Sequence, residues 1–225
     1  MQKRARAVAV VPSEEMLDGP YTQNHRAEQP RLYPKLLGAA WGRLHPAVRH
    51  VHTGAGPARA TGTFQIKRAP GRLLGLVLDL AGIPPASDAA PVQLAIAARV
   101  TPHGPIERWH RVFGGRRLVT GQAEAPSGLL AEQIGGLEFH FRLVVEDGAL
   151  LFEQQRCLVC LGHFRLPLPS LLAPFVWCRE QAAAVDTLGQ TEVCVTVSTP
   201  GGRLLFSYRG TVYWMKPGHA AGRMS

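Results

Sequence analysis

The sequence contains no stretch of about 18 consecutive apolar residues, so no part of it reads as a membrane-spanning helix. Lys3, Arg4 and Arg6 make a basic start, but the apolar part that follows, Ala7 to Val11, is too short for a signal-peptide core. Four cysteines in 225 residues do not make a disulfide scaffold, and the expectation is a protein of the reducing cytoplasm. Acidic residues are scarce: 16 Asp and Glu face 25 Lys and Arg, for a formal charge of +9, and most of the cations are arginine. That balance permits nucleic acid or an anionic membrane as a partner without demanding either. No Ser/His/Asp order, paired catalytic carboxylates or phosphate-cradling loop rises above chance. The glycine-rich segment 54–62 lacks the spacing of a dinucleotide fingerprint and runs into a strand. No catalytic residue and no cofactor is therefore assigned, and the sequence leans away from an enzyme.

What is present is enough for one substantial core: 46% hydrophobic and 18% charged residues are globular values. Residues 1–30 lack periodicity and carry Pro12, Gly19, Pro20 and Pro30, which predicts a disordered N-terminal tail. A single domain is expected over 31–215, followed by a disordered C-terminal tail over 216–225. Leu36, Leu37, Ala40, Trp41 and Leu44 fall at helical spacing within 32–52, where Pro46 restarts a second short helix. Arg59 to Lys67 alternates as a first strand. Residues 71–83 are apolar almost all round, which describes a buried helix.

From Pro91 onward the pattern becomes strand after strand, over 91–101, 105–113, 116–124, 128–133, 136–145, 149–160, 175–185, 191–199 and 203–214, separated by turn signals such as Gly114-Gly115 and Asp147-Gly148. Short loops between alternating strands imply antiparallel pairing. The fold class is α+β: a strongly curved antiparallel β-sheet or incomplete β-barrel, with N-terminal helices at its open side and the 71–83 helix buried against it.

The stretch from Glu107 to Gly115 is the most informative. Read as a strand, it places Glu107, Trp109, Arg111 and Phe113 on one face and Arg108, His110 and Val112 on the other. A face that mixes large aromatics with opposed charges must pair those charges or present them in a cleft. Leu137, Phe139, Phe141, Leu143 and Val145 line one face of a later strand, and Leu204, Phe206, Tyr208, Val212 and Trp214 one face of the last.

These pieces, in this order, resemble a bacterial domain-of-unknown-function family, four-one-six-six in its series. The residues that carry the likeness include Leu37-Gly38 with Trp41, His52-Thr53-Gly54, 68–73, 107–115, 130–135, Leu166-Pro167-Leu168-Pro169, Leu172-Ala173-Pro174 and Tyr208-Arg209-Gly210. The resemblance covers about residues 31–214 and brings no established activity. It implies a standalone protein or an appendage to reductases of the saccharopine-dehydrogenase-like type, so a separate NAD(P)-dependent reductase becomes a possible partner. The chain departs from the family pattern over 157–164, where the family has an arginine-rich strand leading into the Leu-Pro corner.

Glu107, Arg111, Glu132 and Arg209 are the polar residues expected to meet inside or at the rim of the cup, with Trp109, Tyr208 and Trp214 as its apolar wall. Two roles fit: an anion clamp for a ligand, or a charge network that ties neighbouring strands together. His52, with Arg49, is positioned to dock its helix against a carboxylate on the sheet. Cys157 and Cys160, with His163, have knuckle-like spacing, but on a strand the two sulfurs point to opposite faces, so small buried side chains describe them better than a metal site. Arg116-Arg117 reads as a solvated face, and nucleic-acid recognition would want exposed aromatics between the basic residues. The functional expectation is a non-enzymatic binding or accessory domain for a small apolar or amphipathic ligand, with a closed apolar cavity of about 300 Å³ or more that opens beside Trp109 and Arg111. The alternatives are an enzyme subunit that works with a separate reductase and a basic surface for nucleic acid.

Overall fold

The computed structural model describes residues 31–53, 58–162, 164–183 and 189–215. The tails expected to be disordered, 1–30 and 216–225, lie outside the described residues. Eleven strands follow in chain order: β1 (Ala58–Arg68), β2 (Ser87–Thr101), β3 (Gly104–Phe113), β4 (Arg116–Glu124), β5 (Leu130–Ile134), β6 (Leu137–Glu146), β7 (Ala149–Leu161), β8 (Phe164–Pro167), β9 (Phe175–Ala182), β10 (Gln190–Ser198) and β11 (Leu204–Trp214).

Every pairing is antiparallel, and strands adjacent in sequence pair from β1 through β7 and again from β9 through β11. Two further ladders complete the ring. β11 returns to β1, and the first half of β7 (Leu150–Glu153) takes β9 as its second neighbour. All strands but β8 thus form a closed ten-strand barrel, while β8 folds back on the far end of β7 as a flap. The expected incomplete barrel is therefore corrected to a closed one. The closing seam is glycine-dependent: a side chain on Gly62 would fall on the carbonyl of Thr211, and one on Gly210 on the carbonyl of Thr63 and on Phe64. Only a residue without Cβ lets β1 and β11 approach this closely.

One end of the barrel is shut by the N-terminal helices. α1 (Leu32–Leu37) packs against β3, β4 and β6, and α2 (Pro46–His52) against β9 and β10, with a 3-10 turn (Gly38–Arg43) between them. Leu32, Tyr33, Val48 and His52 are fully buried there. The other end carries α3 (Arg72–Leu80) in the connection from β1 to β2.

The expectation for this segment is overturned. Only Leu78 of α3 is buried, and Leu73 and Leu80 are 77% and 81% exposed. The helix is a lid across the rim rather than a filler within the barrel. Arg68 pins it by an ion pair to Asp79 (2.9 Å) and a hydrogen bond to the Gly75 carbonyl (2.8 Å), and Arg116 reaches Asp79 from β4 (3.2 Å). The barrel core needs no such filler, because Phe64, Phe113, Phe206 and Tyr208 pack ring against ring inside it.

Candidate functional site

Between the helical floor and the α3 lid lies a cavity of about 280 Å³. Its walls are apolar, with Phe64, Val92, Leu94, Phe141 and Val195 among them, and Leu74 and Leu78 of α3 with Ile83 form part of its ceiling. The burial pattern of β3 follows the sequence parity: Glu107, Trp109 and Phe113 are buried and Arg108 is exposed. Trp109 stands at the helical floor, against Val51 and the His52 ring (centroids 5.7 Å apart), and not at an opening.

The polar groups gather toward that floor. Arg111 donates to Thr120 Oγ1 (2.8 Å), lies 3.6 Å from Glu132, and rests over the Trp109 ring at 4.9 Å. Trp109 Nε1 donates to Glu107 (3.1 Å). His52 Nε2 meets Glu180 at 2.8 Å, as expected of a helix docked on a sheet carboxylate. Tyr33 donates to Gln122 (2.8 Å), and Trp214 Nε1 to Thr191 (3.3 Å).

Burial governs the electrostatics here. It pushes the Glu107 carboxyl above its ordinary range, a rise that His52 and the Trp109 hydrogen bond oppose and Glu180 reinforces. Burial also raises the hydroxyls of Tyr33 and Tyr208 and the thiol of Cys178, which lines the same cavity. Three carboxylates (Glu107, Glu132, Glu180) thus share the interior with Arg111 and His52, and Arg111 is already engaged.

Of the residues expected at the site, Glu107, Trp109, Arg111, Glu132, Tyr208 and Trp214 all point into the barrel. Arg111, Trp109, Glu132, Tyr208 and Trp214 line the cavity, while Glu107 sits just behind Trp109. Arg209 does not join them. Strand parity turns it opposite to Tyr208, onto the outer surface, where it pairs with Glu192 at 2.6 Å. Glu180, Thr120, Gln122 and Thr191 are site residues that sequence reasoning missed. Thr120 and Gln122 share the parity of buried Leu118 on β4, a signal that could have found two of them. Cys157 and Cys160 lie on β7 as expected of a strand, and His163 lies outside the described residues.

A profile of the domain of unknown function DUF4166 matches residues 44–212. The chain belongs to that family. No curated protein matches it. Among solved structures, it is similar to a protein of unknown function of the DUF3598 family from Nostoc punctiforme PCC 73102 (12% identity, TM-score 0.39), over 71% of this chain and 47% of that one. It therefore spans about half the length of that protein. Two further likenesses are to a putative thioesterase II from Thermobifida fusca YX (10% identity, TM-score 0.22, 73% and 80% of the two chains) and to a conserved protein of unknown function with a hot dog fold from Alicyclobacillus acidocaldarius (12%, 0.21, 76% and 83%). TM-scores this low do not establish a common fold.

Proposed function

We propose that this DUF4166 domain is a binding domain that takes one small amphipathic molecule into the barrel, its apolar body along the walls and its head at the helical floor. The observation that carries this reading is the cavity itself: about 280 Å³ with apolar walls and a cluster of polar side chains at one end. That is the chemistry of a ligand pocket, at the lower edge of the usual range of about 300–1,000 Å³. The head it suits is neutral and hydrogen-bonding. Gln122, Thr120 and Thr191 offer donors and acceptors, whereas an anionic head would meet Glu132 and Glu180 beside the one guanidinium, which Thr120 and Glu132 already hold.

Native mass spectrometry of the freshly purified protein should detect one retained molecule, and a neutral fluorescent probe such as N-phenyl-1-naphthylamine should displace it. Val195→Phe, which fills the cavity from β10, should abolish uptake while leaving the fold intact. A well-folded protein that retains nothing and takes up no probe would remove the basis for this reading.

A further inference from the structure

We propose that the lid end of the barrel docks on an anionic lipid bilayer, with the outer face of α3 and the corner after β8 entering the boundary between headgroups and acyl chains. The strand registers place these segments on one rim. Arg68 at the end of β1 pairs with Phe206 on β11, Val197 on β10 also pairs with Phe206, and Ser198 pairs with Phe175 at the start of β9.

The rim is unusually apolar toward solvent. α3 turns Leu74 and Leu78 inward yet leaves Leu73, Leu76, Val77 and Leu80 more than half exposed. A helix apolar on both faces is normally buried, and here the protein buries only one of them. Across the mouth, Leu171 is 84% exposed and Leu172 and Phe175 at least half so, and on the flap Phe164 and Leu166 are equally bare. At the floor end, by contrast, the exposed large apolar side chains among the described residues are Val100, Tyr213 and Met215.

The charge at the rim selects the partner. Lys67, Arg72 and Arg203 stand there with no ion pair to a described residue. The rim acids Asp79 and Glu138 are already held by Arg68, Arg116 and Arg165, which leaves Asp88 as the remaining rim acid among the described residues. Apolar side chains inserted below a fringe of cations are the signature of an interfacial contact with anionic lipid. The apolar groups come from two separate segments, α3 and the run from β8 through the following corner to Phe175, on either side of the cavity mouth, and a fluid bilayer can cover both without a matched shape. Among the described residues no helix is long and apolar enough to cross a membrane.

The biological purpose of this contact, loading the cavity from a bilayer that dissolves amphipathic molecules, rests on the cavity reading, but its test does not. The full chain should float with vesicles of phosphatidylcholine containing about 30 mol% phosphatidylglycerol, and markedly less with phosphatidylcholine alone or as salt rises. Leu76→Gln with Leu80→Gln, neutral changes at exposed positions, should leave the melting temperature unchanged and weaken flotation at least about tenfold. Absence of flotation overturns the proposal, and so does flotation unchanged in the double variant, which would mean attraction by basic charge alone. A dimer in solution that the double variant breaks, without flotation of the wild type, would assign the face to a second copy of the chain and overturn it equally. Native mass spectrometry on the same samples separates the two readings: flotation with an empty cavity removes the ligand reading alone, and a retained ligand without flotation removes the docking alone.

Discussion

His52 and Glu180 lie 128 positions apart in sequence, yet their side chains meet at 2.8 Å in the interior and join α2 to β9. This contact anchors the floor of the cavity, because α2 has no other buried polar link to the barrel among the described residues. Replacing His52 with Ala leaves a buried carboxylate without its partner, so it should cost about 3–5 kcal/mol. Glu180→Gln keeps an acceptor for the imidazole and should cost much less. Urea unfolding of both variants checks this, and equal small losses would show that the contact does not hold the floor.

Glu107 sets a pH dependence. Burial raises its folded-state pKa above the ordinary 4.5, so the fold favours the protonated form. The stability it contributes is fully present below its unfolded value and is lost as pH rises through the raised one. Wild type should therefore lose stability relative to Glu107→Gln as pH climbs from about 4.5 toward neutrality. Urea midpoints that stay parallel for the two proteins over that window would contradict it.

The strands were legible because one face of each meets the barrel interior. The odd-numbered residues of β3 and the even-numbered residues of β11 from Phe206 onward separate by parity, and the observed spans of β3 and β4 differ from the expected ones by at most one residue. β8 was missed because four residues are too few to show alternation. α3 was misjudged for a different reason. An all-apolar helix signals burial, but the pattern cannot say that α3 covers the cavity with one face and leaves the other to solvent. Arg209 was grouped with the site despite its parity, because its type suggested a clamp. Glu180 was invisible, since its partner is supplied by a helix more than a hundred residues earlier.

The β1–β11 seam should be the most intolerant place for an added methyl group. Gly210→Ala puts a carbon against the Thr63 carbonyl and the Phe64 ring, neither of which is the free end of a flexible chain. Overpacking of this kind costs about 1–3 kcal/mol or more, so the variant should unfold at clearly lower urea than wild type. Gly121→Ala, on β4 with open space where its Cβ would go, is the matched control and should change little.

The cysteines should separate by reactivity. Burial raises the Cys157 thiol to about 11 and that of Cys178 well above its ordinary value, so neither carries much thiolate near neutral pH. Cys160 and Cys194 are only partly buried. Burial raises the Cys194 thiol as well, so with a disulfide reagent at mildly alkaline pH the folded protein should react first at Cys160, then at Cys194, and at Cys157 and Cys178 only on unfolding. Cys157 and Cys160 sit three residues apart on one strand, about 10 Å along it, beyond the roughly 7 Å between Cα atoms that a disulfide spans. Mild oxidation of the folded protein should therefore leave the pair unlinked. A Cys157–Cys160 bridge found by peptide mapping would mean that β7 does not run as a continuous strand through these positions.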